Sequence, residues 1–141
     1  MGLTIENKHS SIDLSYTGFA RLRTKIAYLH SKELGKFYDE LVNAIPMFGK
    51  EREIFLKDYE KRLSTIDEEL NVSHYILDFL YADDCEATMS VKHCRRIWNI
   101  IKNCDENFSI GYVGRKDCAM FFDFKRIVKE CRDKNIQMYW F

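Results

Sequence analysis

Three apolar runs in this chain each break at a short polar or glycine-containing elbow, and each is followed by a stretch with helical periodicity. The elbows are Asp13-Leu14-Ser15-Tyr16-Thr17-Gly18-Phe19, Ala82 to Ser90 with Asp83, Asp84, Cys85 and Glu86, and Gly111-Tyr112-Val113-Gly114-Arg115-Lys116-Asp117. A chain that changes period at fixed points must layer helices on a sheet, because each element has one apolar face to bury. The elbows also place helix N-termini, with their unpaired N–H groups, beside side chains able to contact a ligand.

The 141 residues fit one domain with its own core, and the high apolar (46%) and aromatic (14%) content argues against disorder. Twenty-two basic and twenty-two acidic residues cancel, so no global field draws the protein to nucleic acid or a membrane surface. Locally the charges separate. From Ser15 to Lys32 the chain carries Arg21, Arg23, Lys25 and Lys32 with no carboxylate; from Leu63 to Val91 it carries acidic residues only, among them Asp78, Asp83, Asp84 and Glu86. These segments are expected to face each other, a shared polar ligand or solvent. The five cysteines are scattered with no C-x-x-C pair, and there is no signal-like or membrane-length apolar run. A reducing, cytoplasmic setting is the expectation, with Cys94 and Cys131 as small buried hydrophobes.

Leu3-Thr4-Ile5 and Ile12-Asp13-Leu14 read as short strands, forming a hairpin or one bent edge strand. A helix is predicted from about Thr17 to Ser31, and a second carries Leu34 to Ile45 and stops before Pro46. The third stripe, Ile54 to Ile66, reads as part of a helical insertion or lid over about 32–70. Ile76 to Tyr81 is predicted as a strand buried on both faces, Ser90 as the cap of the next helix, and Phe108 to Tyr112 as a further strand. The last helix is placed from near Asp117, and Ile136 to Phe141 as a closing strand tied into the sheet. The fold class is therefore α+β: a single-layer, mostly antiparallel or mixed sheet of four to five strands packed with about five helices.

The first elbow couples Ser15, Tyr16, Gly18 and Phe19 to Arg21 and Arg23, a reasonable cradle for a phosphate and a stacked base. The second offers Asp83, Asp84 and Glu86, suited to accept hydrogen bonds or to hold Mg²⁺ in a phosphoesterase, although the spacing matches no EF-hand loop. The third brings Tyr112 and Arg115; its G-x-x-G spacing is neither a Walker A nor a Rossmann turn. Cys85 sits between acidic neighbours, the wrong field for a thiolate nucleophile, and the four histidines lack zinc-ligand spacing with the cysteines.

The Met1-Gly2-Leu3-Thr4-Ile5 start, the Ser15-Tyr16-Thr17-Gly18-Phe19 turn before an Arg-bearing helix, and Asp83-Asp84-Cys85-Glu86-Ala87 together resemble a family of small bacterial and phage proteins. Its pattern reads M-G-L-x-I, S-Y-x-G-[FY] and [SD]-D-C-[DE]-G; this chain departs from it at Thr4, often acidic there, and at Ala87, usually glycine. The likeness covers most of the chain outside Ser31 to Leu70. It brings no activity with it, but it implies a phage or prophage setting, in which small accessory proteins counter host defence by sequestering a nucleotide signal or binding a defence protein. The expectation is a non-catalytic protein, without metal or cofactor, that holds a nucleotide-type or phosphorylated ligand. Arg21, Arg23 and Arg115 would take the phosphates, Tyr16, Phe19 and Tyr112 would stack, and Asp84 and Glu86 would accept hydrogen bonds. The alternatives are a protein–protein inhibitor or interaction module, with homo-oligomers a mild expectation from the aromatic surplus, and the Mg²⁺-dependent phosphoesterase.

Overall fold

The computed structural model describes residues 1–141 and consists of four short strands and six helices. The chain opens with β1 (Gly2–Glu6) and β2 (Ser11–Ser15), then α1 (Tyr16–His30), α2 (Lys32–Asn43), α3 (Gly49–Leu70) and α4 (His74–Tyr81). It continues through β3 (Ala87–Met89), α5 (Val91–Ile101), α6 (Phe121–Lys134) and β4 (Met138–Trp140).

The sheet is antiparallel throughout, in the order β2-β1-β4-β3. Alternation decides its faces: Leu3, Ile5, Ile12 and Leu14 are buried on one side, whereas Thr4 and Asp13, directly opposite in register, share a hydrogen bond of 2.7 Å on the other. The C-terminal strand is interior. Thr4 and Phe141 exchange both backbone hydrogen bonds, at 2.9 and 3.1 Å, so the closing residues are tied down as expected.

β1 and β2 form a hairpin whose turn is held by a buried side chain. Asn7 Oδ1 accepts from the amides of His9 (2.7 Å) and Ser10 (2.8 Å), while its Nδ2 donates to Ile127 O and Glu130 Oε1, both at 3.2 Å. One amide thus fastens the hairpin tip to α6.

The main core joins the buried sheet face to α1, α4, α5 and α6, with Phe19, Phe79, Phe121, Phe124 and Trp140 as its largest fully buried side chains. Cys94 and Cys131 lie wholly inside it, as their positions on apolar stripes predicted. α3 stands outside: only Tyr59 and Ile66 are buried along its 22 residues, and they form a separate small cluster with Phe37 of α2. Phe37 and Tyr59 stack with ring centroids 4.4 Å apart.

The structure corrects the sequence reading in the middle of the chain. Ile76 to Tyr81 is helical, not a strand: Ser73 caps it by accepting from the Tyr75 amide at 3.3 Å, and Ile76, Phe79 and Leu80 form one buried face. A run this short and this apolar fits either period, and the cap decides it. The strand there is instead β3, inside the second elbow. Phe108 to Tyr112 contributes only an isolated bridge, Ser109 to Met120, rather than a strand. α6 starts at Phe121, not near Asp117, because Asp123 reaches back to accept from the Met120 amide at 2.8 Å.

Candidate functional site

The three elbows meet around the first turns of α1. Ser15 caps that helix, accepting from the Gly18 amide at 2.9 Å, and donates to Gly111 O at 3.2 Å. A Cβ on Gly18 would lie 1.7 Å from the Ile110 carbonyl oxygen, so only glycine lets the 110–111 backbone cross here. Ser15 and Gly18 therefore join the first and third elbows. On the other side of α1, the Tyr16 hydroxyl and Cys85 Sγ are 3.6 Å apart, which joins the first to the second. That contact with Cys85 raises the Tyr16 pKa, with smaller contributions from Asp84 and Tyr112.

Arg23 is the centre of the arrangement. Helical spacing puts it one turn after Phe19 on the inner face of α1, where its guanidinium lies 4.2 Å from the Phe19 ring centroid and 5.7 Å from that of Trp140. Its Nη2 donates to Ala82 O at 2.7 Å and its Nη1 to Asp84 Oδ1 at 3.0 Å. The side chain is only 5% exposed, against 64% for Asp84. Burial pushes the Arg23 pKa down, opposed by Tyr38 and Asp84. Arg23 Nε is buried without a hydrogen-bond partner. An arginine carries five N–H donors, and a buried charge is stable only when well compensated, so this one has capacity to spare.

Arg23 lines a cleft of about 300 Å³ between α1, α2, the start of α3 and the end of α4. Its wall is aromatic and aliphatic, including Tyr16, Phe19, Tyr38 and Tyr81, with Arg23, Arg52 and Asp84 as its charged groups. Arg52 spends one hydrogen bond on Ala44 O at 3.1 Å. Behind the wall, Tyr81 and Tyr59 share a hydroxyl contact of 2.6 Å, and Tyr59 donates to Phe37 O at 3.1 Å. Burial raises the Tyr81 pKa to about 12 and that of Tyr59 further. Apolar walls with a few convergent polar groups are the general character of small-ligand sites, and about 300 Å³ lies at the small end of their range.

Asp83, Glu86, Arg21, Tyr112 and Arg115 lie outside the lining of this cleft. Asp83 turns away: its carboxylate accepts from the Cys85 amide at 2.7 Å, and its carbonyl takes the Trp140 indole N–H at 2.8 Å. Glu86 is exposed. Arg21 donates to Ser109 O at 3.1 and 3.3 Å on the outer flank of α1. Tyr112 and Arg115 stack on each other at 4.5 Å, in a polar hollow of about 380 Å³ that also holds Lys116 and Arg126. Asp83, Asp84 and Glu86 do not converge, and no group of three or more His, Cys, Asp or Glu side chains is placed to hold a metal ion.

Of the residues singled out from the sequence, Tyr16, Phe19, Arg23 and Asp84 line this cleft; Tyr38, Tyr81 and Arg52, which line it too, were not singled out. Tyr38 reads as part of an apolar stripe, and nothing local marks Arg52. Tyr81 carried a signal, since it directly precedes the acidic elbow. Compared with family models, curated proteins and solved structures, the chain matches none. No helix is long and apolar enough to cross a membrane.

Proposed function

We propose that this protein is a non-catalytic binding protein, holding a small ligand that combines a planar ring with an anionic group, of the nucleotide-monophosphate type, in the cleft beside Arg23. The observation that carries this reading is the buried, incompletely satisfied Arg23 guanidinium in an aromatic cleft. Two arginines against one aspartate leave the cleft with surplus positive charge. Tyr16 offers a ring face and hydroxyl for a base, with the buried Tyr38 behind, and Arg23 and Arg52, both lining the cleft, offer donors for a phosphate. The one carboxylate lining the cleft, Asp84, is engaged by Arg23 rather than free to act as a general base, which favours retention over turnover. A protein that only retains its ligand acts by sequestering it, the mode the phage-type resemblance implies.

Denaturing the purified protein and analysing the released small molecules by mass spectrometry tests the reading, together with melting against a nucleotide panel. A ligand at about a hundred times its Kd raises the melting midpoint by on the order of 10 °C for a domain of this size. Absence of both a released nucleotide and a shift with any nucleotide contradicts it.

A second reading, a protein-interaction module, is favoured by one observation: Ile45, Phe48 and Ile54 are all exposed around the α2–α3 turn. Recovery of the same protein partner by wild type and by Phe48→Asp would remove that turn as the interface.

A further inference from the structure

The Arg23–Asp84 pair is asymmetric in a way that determines how an anion enters the cleft. The Arg23 side chain is 95% buried, its guanidinium ringed by Phe19, Phe79 and Trp140 and held by Ala82 O, so it stays in place. The carboxylate is mostly in solvent, on a loop between α4 and β3, and holds Arg23 through a single oxygen at 3.0 Å. Returning an exposed carboxylate to water costs little, whereas seating a second anion against the same guanidinium beside Asp84 is opposed by like-charge repulsion.

We propose that Asp84 is a built-in competitor for Arg23, and that the acidic group of the ligand displaces it when the cleft fills. This rests on the cleft reading above and adds to it. The free protein keeps its buried cation compensated by Asp84; the bound protein substitutes the ligand's phosphate and releases Asp84 to solvent. Affinity is therefore set by the difference between two anions at one guanidinium. A dianionic phosphate monoester with several acceptor oxygens wins that exchange over a neutral nucleoside, which cannot enter it. The loop's Asp83 does not follow, because its backbone is pinned by the Trp140 indole.

Calorimetric titration of the full-length wild type and of Asp84→Asn with adenosine monophosphate and with adenosine tests the proposal. Removing a competing charge-assisted hydrogen bond is expected to tighten binding of the monophosphate by about tenfold and to leave adenosine unchanged. Monophosphate binding that is equal or weaker in Asp84→Asn than in a wild type that does bind it overturns the displacement and leaves the cleft reading standing. No binding of either compound by either folded protein overturns both. A measurement on the wild type alone covers a variant that fails to fold. The ¹³C signal of the Asp84 side-chain carboxyl should move to the position of a solvated aspartate on addition of adenosine monophosphate; a signal that stays put while the nucleotide binds contradicts displacement.

Discussion

Arg23 Nη1 and Asp84 Oδ1 lie 3.0 Å apart although 61 positions separate them in sequence, one buried under aromatic rings and the other facing solvent. The pair links α1 to the loop before β3 and sets one wall of the cleft. A buried ion pair is weak evidence for stability, because well-packed apolar residues of similar volume often replace it without loss. Arg23→Met is therefore expected to melt within several degrees of wild type: it removes a buried charge, but it leaves the Ala82 carbonyl as well as the exposed Asp84 carboxylate without its partner. The same change should abolish nucleotide-dependent stabilisation. Thermal melts with and without adenosine monophosphate check both halves.

Gly18→Ala is expected to destabilise the protein strongly. An alanine raises helix propensity by up to about 1 kcal/mol, but overpacking costs roughly 1–3 kcal/mol or more, and here the clash at 1.7 Å is with a backbone carbonyl that has little freedom to move. Urea unfolding should show a net loss of about 2 kcal/mol, with Gly49→Ala, whose Cβ would meet nothing, costing only the strain of its positive φ.

The Asn7 amide should matter more than its place in a polar turn suggests. Asn7→Ala strips partners from the His9 and Ser10 amides and from Ile127 O in a buried setting, an expected loss of about 2 kcal/mol. Asn7 also helps hold the Glu130 pKa down: burial acts to raise it, and hydrogen bonds from Ser10 and Asn7, with Lys134 and Arg126 nearby, outweigh that. A lowered folded-state pKa contributes stability above the unfolded value, lost as pH falls through the folded one. Glu130→Gln should therefore flatten the acid limb of the stability profile below about pH 4.3.

Alkaline stability follows from the buried tyrosines. Tyr81 titrates at about 12 in the fold, with Tyr59 above it, against about 10 in the unfolded chain. The unfolded state thus releases protons first. Their contribution to stability is fully present below pH 10 and declines as pH rises from about 10 toward 12. Chemical unfolding at stepped pH should show this decline, shallower in Tyr81→Phe.

The helices with strong stripes and local caps were legible: α1 behind Ser15 and α5 behind Ser90 carry both signals in a few adjacent residues. α4 was not, because His74 to Tyr81 is short and largely apolar, and Ser73 alone tips it to helix. The opposed charge of basic α1 and the acidic middle segment left open whether they face each other, a ligand or solvent; they meet at one pair, Arg23 and Asp84. Tyr38 and Arg52 reach the cleft only because α2 packs back against α1 and α3 starts from its end, a tertiary arrangement that no local pattern encodes. Tyr112 and Arg115 shared the chemistry expected of a site, but the Gly111 backbone, pressed against Ala119, directs their loop to a separate hollow.

The central claim is that the Arg23 cleft takes a nucleotide-type anion. Titration of ¹⁵N-labelled protein with adenosine monophosphate, followed by NMR, tests it most directly. The account predicts saturable shifts at Tyr16, Tyr38, Tyr81 and Asp84 and at the Arg23 Nε–H signal. Saturable shifts confined to Tyr112, Arg115 and Lys116, or no saturable shift at millimolar nucleotide, would contradict it.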